Sequence, residues 1–322
     1  MRFLTASLLG LVGARLASTL AKVIGGMMSD NAPDSNINDS PVYMRWVSIR
    51  DAKYYANLAA AAFCEDASLL RFSCHPYCEE IRFGTDEFSE TSDVRVVEVI
   101  RDFFSGVRGY VAVIPSREEI IVSFASERPQ SNKLVLISAP LEHINVRSLE
   151  ANNTNINVDD VAVHTGLYTT AKSLLSQYRD TVRRLLDQTG YKLVFAGHSI
   201  GAEVASLSLI AAQREFKLPW TQLRYIGYGM IRVGNREFAR WFNQQRLEAT
   251  HVVNFDDKVV HLMPRFANYQ HFANELFIDK DGSIRLCDNA YFEDPKCSGL
   301  EADFELKEPH VHAFDIEFGL TC

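Results

Sequence analysis

Thirteen residues constrain this chain more than any others: Leu193-Val194-Phe195-Ala196-Gly197-His198-Ser199-Ile200-Gly201-Ala202-Glu203-Val204-Ala205. Tyr191 to Ala196 reads as an apolar strand and Ala202 to Ala212 as a helix, with Gly-x-Ser-x-Gly as the turn between them. Such a turn is so sharp that only glycines allow the strand and helix backbones to approach, and it leaves the Ser199 hydroxyl exposed at its apex. The first amides of the helix then point to where negative charge develops on a reacting carbonyl. The pattern predicts a serine nucleophile displayed at the end of a strand.

The rest of the chain supplies the elements such a site needs. Val47 to Cys64 has helical spacing with an alanine-rich face. Arg95–Ile100, Gly109–Ile114 and Glu119–Phe124 are short, β-branched runs that read as strands. His164 to Leu186 carries a long apolar stripe. Leu223–Tyr228 and His251–Phe255 read as strands on either side of a helix at Arg236–Asn243, and Glu275 to Leu286 as a hairpin turning at Asp281-Gly282. Helices alternating with strands imply an α/β fold, with a mainly parallel sheet flanked by helices in one domain.

The 322 residues suffice for one large core, and a net charge of −8 without a basic stripe argues against a nucleic-acid partner. Residues 1–21 begin with one arginine and a short apolar run, as a secretory signal peptide does, and the run is too short for a transmembrane anchor. Residues 22–45 read as a linker or propeptide, which leaves 46–322 as the folded domain. Six cysteines, Cys64, Cys74, Cys78, Cys287, Cys297 and Cys322, suggest three disulfides in an extracellular protein. No Cys/His spacing suggests a metal site. Asn152 and Asn38 begin glycosylation sequons, the latter weakened by Pro41.

A serine nucleophile requires a histidine base and a carboxylate to orient it, and in α/β-hydrolases these follow in the order serine, acid, histidine. Asp256 and Asp257 come just past the strand ending near Phe255, and His310 and His312 lie near the end of the chain. The chain here resembles the fungal class 3 (Rhizomucor-type) triacylglycerol lipases, a family that also includes feruloyl esterases. Val163-His164-Thr165-Gly166-Leu167, Gly197 to Gly201, Arg232-Val233-Gly234-Asn235 and Asn254 to Leu262 are similar to its motifs. The resemblance implies Asp257 as the acid, with Asp256 a solvated turn residue. It favours His310 as the base, with His312 the alternative, and casts His164, His198 and His261 as structural. It pairs Cys64 with Cys322, Cys74 with Cys78 and Cys287 with Cys297. Ser126 and the Ile200 amide take the oxyanion positions.

The resemblance implies a secreted, cofactor-free, monomeric hydrolase of lipid or other esters, acting through an acyl-enzyme on Ser199. A feruloyl or short-chain esterase and an inactive lipase-like binding protein are the alternatives. The sequence departs from the family where Phe124-Ala125 replaces Arg-Gly, where Ala313 stands in place of tyrosine, and where Glu203 replaces a small residue. Glu203 suits the positive end of the helix dipole. The lid segment Glu127 to Lys133 is polar, so little interfacial activation is expected.

Overall fold

The computed structural model describes residues 47–83, 93–126, 140–146, 156–289, 292–299, 308–319 and 322. The expected signal peptide, the linker, Asn38, Asn152 and the polar segment 127–133 lie outside the described residues.

An eight-stranded sheet carries the fold: β1 (Arg95–Asp102), β2 (Val107–Ile114), β3 (Glu119–Ser126), β6 (Lys192–His198), β7 (Leu223–Tyr228), β8 (Glu248–Asn254), β9 (Glu275–Ile278) and β10 (Ile284–Leu286), in that spatial order. A separate short pair joins β4 (Leu141–His143) to β5 (Ala162–His164), and another joins β11 (His312–Ala313) to β12 (Ile316–Glu317). From β3 to β9 the neighbours run parallel, while β1–β2, β2–β3 and β9–β10 are antiparallel. The sheet is therefore mostly parallel with antiparallel margins, which fits an α/β-hydrolase. Residues on β3, β6 and β7 are almost all buried, as strands covered by helices on both faces must be.

Helix α1 (Ile49–Ala61) begins at Ser48, whose hydroxyl accepts the Asp51 N–H at 3.0 Å. Its buried face includes Ala52, Ala56, Ala59 and Ala60. These small side chains let the helix lie close to the sheet, and Tyr110 and Tyr228 donate their hydroxyls to its Leu58 and Ala52 carbonyls. Short helices α2 (Asp66–Leu70) and α3 (Tyr77–Phe83) follow. Helix α4 (Thr165–Thr189) starts where His164 Nδ1 accepts the Leu167 N–H and ends at Gly190 in the left-handed region. Helix α5 (Ile200–Phe216) is buried along one continuous run from Ile200 to Ala212. Helix α6 (Arg236–Asn243) is capped by Asn235, which accepts the Phe238 N–H at 2.8 Å.

The disulfides join Cys64 to Cys322, Cys74 to Cys78 and Cys287 to Cys297. The first closes a separation of 258 residues, a constraint worth about 5 kcal/mol against the unfolded chain. It ties the end of α1 to the C-terminal segment that carries His310.

Candidate active site

Ser199 leaves β6 with φ 52° and ψ −132°, a backbone conformation that side chains avoid. The geometry around it explains the two glycines. A Cβ on Gly201 would lie 2.3 Å from the Phe124 carbonyl oxygen, and one on Gly197 would lie 2.4 Å from that of Gly201. The elbow is thus clamped between its own helix and the end of β3.

His310 sits on a 3₁₀ turn, Glu308–Val311. Its Nε2 accepts from the Ser199 hydroxyl at 2.8 Å, and its Nδ1 donates to the Asp257 carboxylate at 3.0 and 3.1 Å. Asp257 lies just past the turn that follows β8, is buried, and accepts the Val259 N–H at 3.0 Å. Opposite the pair, Gly229 adopts φ 55°, and a Cβ there would meet Asp257 Oδ2 and His310 Nδ1 at 3.1 Å. The Asp257 carboxylate and the His310 ring therefore rest against bare backbone. Asp256 turns outward and pairs with Lys258 at 3.5 Å. His312 faces Glu317 across β11–β12 at 3.9 Å, with its side chain exposed.

The 3₁₀ turn is held from two sides. His198 Nε2–H donates to the His310 carbonyl at 2.7 Å, and Asn254 Nδ2 donates to that of Pro309 at 3.1 Å. The His198 ring also stacks on Phe318, with centroids 4.1 Å apart. Burial and the neighbouring His310 push the His198 pKa down to about 3, so the ring stays neutral and keeps this donor arrangement. A positioning role of this kind leaves no mark in the sequence beyond the elbow pattern itself.

The register aligns Phe124 on β3 with Gly197 on β6. Two residues further along, Ser126 ends β3 level with Ser199, while Ile200 opens α5. The two oxyanion candidates thus lie on neighbouring elements, Ser126 at the end of β3 and Ile200 at the start of α5. Alanine at 125 forms an ordinary strand position paired with Arg108.

Arg232 anchors the far wall. It donates to Glu293 at 2.6 and 2.8 Å and to the His261 carbonyl at 2.8 Å, which fixes the loop beyond Asp257. His261 is held neutral, its pKa lowered to about 4 by burial and by the Arg232 charge. Gly234 bridges Val163 and Gln270.

Glu203 lies in the first turn of α5, as expected. It is fully buried, and its carboxyl accepts the Ile231 N–H at 2.5 Å. Burial, with nearby Asp257 adding to it, raises its pKa well above the usual carboxylate value. Burial thus opposes the charged form that the helix dipole would favour.

Comparison with known proteins agrees with this architecture. The model of the family described as "Lipase (class 3)" matches residues 135–267. A lipase of Rhizopus niveus is 23% identical over 313 residues, covering 92% of this chain and 74% of that one. A secreted mono- and diacylglycerol lipase of Fusarium solani is 28% identical over 251 residues, covering 73% and 68%. The crystal structure of a lipase from Rhizopus microsporus var. chinensis superposes with a TM-score of 0.68 at 21% identity, covering 89% of this chain and 96% of that one. The α/β-hydrolase sheet, the elbow at its centre and these matches agree: the chain has the α/β-hydrolase fold and is similar to the fungal class 3 lipases.

Proposed function

We propose that this protein is a secreted serine hydrolase of lipid esters, with Ser199 as nucleophile, His310 as general base and Asp257 as the orienting carboxylate. The observation that carries the reading is the continuous hydrogen-bond chain from the Ser199 hydroxyl through His310 to Asp257. As Ser199 Oγ attacks the ester carbonyl, His310 Nε2 takes its proton, and Asp257 stabilises the imidazolium formed. The Ile200 amide and Ser126 donate to the tetrahedral oxyanion. Collapse breaks the ester C–O bond, and His310 returns the proton to the departing alcohol. Water, deprotonated by the same histidine, then releases the acid and regenerates Ser199.

Residues 1–21 act as the signal peptide and 22–45 as a linker or propeptide, with 46–322 the monomeric catalytic domain. Three disulfides suit an oxidising compartment, and no helix among the described residues is long and apolar enough to cross a membrane. Asn152 and Asn38 are the proposed glycosylation sites.

The test is hydrolysis of p-nitrophenyl esters from acetate to palmitate by the secreted protein, beside a Ser199→Ala control. Loss of activity in the control supports the proposal, and a rate rising toward long acyl chains supports a lipid substrate. A preference confined to acetate or to feruloyl esters would make it a short-chain or feruloyl esterase. A folded protein inert toward every ester, and unlabelled by a fluorophosphonate, would be a lipase-like binding protein.

A further inference from the structure

The turn between β1 and β2 presents Phe103 and Phe104 to solvent, 75% and 92% exposed. Two adjacent phenylalanines in that state are unusual on a water-facing surface. The turn beneath them is well ordered. The Asp102 carboxylate accepts the Phe104 and Ser105 N–H groups at 3.0 and 2.8 Å and the Ser105 hydroxyl at 3.0 Å. Gly106 closes the turn with a backbone bond to Asp102 at 2.9 Å. Asp102 is itself buried, and Arg101 and Arg108 both converge on Asp66, so the neighbouring charges are engaged elsewhere.

Strand register fixes where this tip lies. Asp102 pairs with Val107, Val107 with Ser126, and Phe124 with Gly197. The tip therefore stands at the same end of the sheet as Ser199, with β2 two strands, about 10 Å, from β6. On the other side of the elbow, also two strands away, Phe255 emerges directly after β8 and is 37% exposed. Aromatic side chains thus reach solvent on both flanks of the serine.

We propose that Phe103 and Phe104 form an exposed wedge that docks the catalytic end of the sheet onto the surface of a lipid aggregate. The proposal rests on the lipid-ester reading above, because such substrates are presented as a surface at this end of the sheet. A second copy of the chain is a poorer occupant. Two phenylalanines offer roughly 400 Å² at most, about half of what each partner contributes to a standard stable interface. An exposed wedge also fits a chain whose 127–133 segment is polar in sequence. The wedge holds the protein to the surface without a jump in rate when the substrate aggregates.

The experiment compares the full secreted protein with Phe103→Ser/Phe104→Ser in three assays: flotation with phosphatidylcholine vesicles, hydrolysis of a triolein emulsion, and hydrolysis of dissolved p-nitrophenyl acetate. The double variant should lose vesicle partitioning by roughly a hundredfold. It should lose emulsion activity in parallel and keep the parent rate on the dissolved ester. Phe104→Trp, which preserves an aromatic tip, should bind as the parent does, and the emission of the added indole should shift to the blue on vesicles. Parent-like partitioning of the double variant overturns the proposal, as does the absence of that blue shift when the Phe104→Trp protein is vesicle-bound. So does a parent dimer in sedimentation velocity that the double substitution dissociates without changing vesicle binding. A parent that binds vesicles through the wedge but hydrolyses no ester would instead sink the esterase reading and leave the docking surface standing.

Discussion

The four central strands end in two contrasting environments. At their N-terminal ends the sheet carries a row of charges across β3, β6, β7 and β8: Glu119, Lys192, Arg224 and Glu248. Arg224 bridges both glutamates, Lys192 reaches Glu248 at 2.9 Å, and Tyr55 donates to Glu119. At the C-terminal ends Ser199 takes φ 52° and ψ −132°, which side chains avoid, and Gly229 and Asp256 turn the chain at φ 55° and 59°. Among the enclosed titratable groups there, burial pushes the His198 pKa down to about 3 and raises that of Glu203 well above the usual carboxylate value. One end of the same strands pairs its charges across the register, while the other holds Ser199 in a backbone conformation that side chains avoid.

The sharpest way to break this contrast is at the serine. Ser199→Ala should lower kcat by about 10⁴-fold or more, measured on p-nitrophenyl butyrate. If the elbow stores strain, Ser199→Gly should be equally inactive yet more stable by about 1 kcal/mol in thermal unfolding. An unchanged or lower stability for the glycine variant would mean that the elbow stores no strain.

The second test is pH, which should act on the buried titratable groups in opposite directions. His198 and His251 are buried, each hydrogen-bonded through a single ring nitrogen, with pKa values lowered to about 3 and about 4. The unfolded chain takes up protons near the usual value of about 6.5. Stability should therefore be full above that value and drain as pH falls toward 4, each histidine costing on the order of 2 kcal/mol by pH 5. Glu203 works the other way. Its native pKa is raised, so its contribution is full below the usual carboxylate value and is lost as pH rises toward the native one. Glu203→Gln keeps an acceptor for the Ile231 N–H and should flatten the alkaline loss. Chemical denaturation from pH 4.5 to 9 reads both limbs. A parent whose stability is flat from pH 7 to 5 would refute the buried-histidine limb.

The third perturbation belongs to the opposite end. Glu119→Gln leaves Arg224 short of a charged partner in a site where the Glu119 side chain is only 1% exposed. It should cost about 3 kcal/mol of stability while kcat/KM on a dissolved ester stays at the parent value. A fall in kcat at temperatures where the variant is fully folded would show that the two ends are coupled.

The parts of this fold legible in the sequence are those whose physics is local. The elbow was readable because strand, turn and helix need specific residue types within thirteen positions. Helix α6 matched its expected bounds, Arg236–Asn243, because the cap at Asn235 immediately precedes it. Strand direction was not readable, since alternation and β-branching look the same in either sense, and β1 to β3 prove antiparallel. The charged row was missed because Glu119, Lys192, Arg224 and Glu248 become neighbours only through the strand register. The burial of Glu203 was hidden for a related reason. Its place in the first turn of a helix suggested a charge near the dipole, but α5 is buried on every side there, and burial raises its pKa well above the usual carboxylate value.

The smallest expected effect separates two histidines that the sequence left as alternatives. His310 and His312 are two residues apart, yet the turn into β11 sends them to different surroundings. The His310 side chain is 16% exposed and lies between Ser199 and Asp257, while that of His312 is 41% exposed beside Glu317. A surface pair at 3.9 Å contributes little, so His312→Ala should change stability by less than about 0.5 kcal/mol. It should leave the rate on p-nitrophenyl butyrate unchanged. His310→Ala, by contrast, should be as inactive as Ser199→Ala, and inactive together with it rather than additively, because the serine and its base act as one unit. If His312→Ala were the inactive variant, the hydrogen-bond chain through His310 would not be the one that activates Ser199.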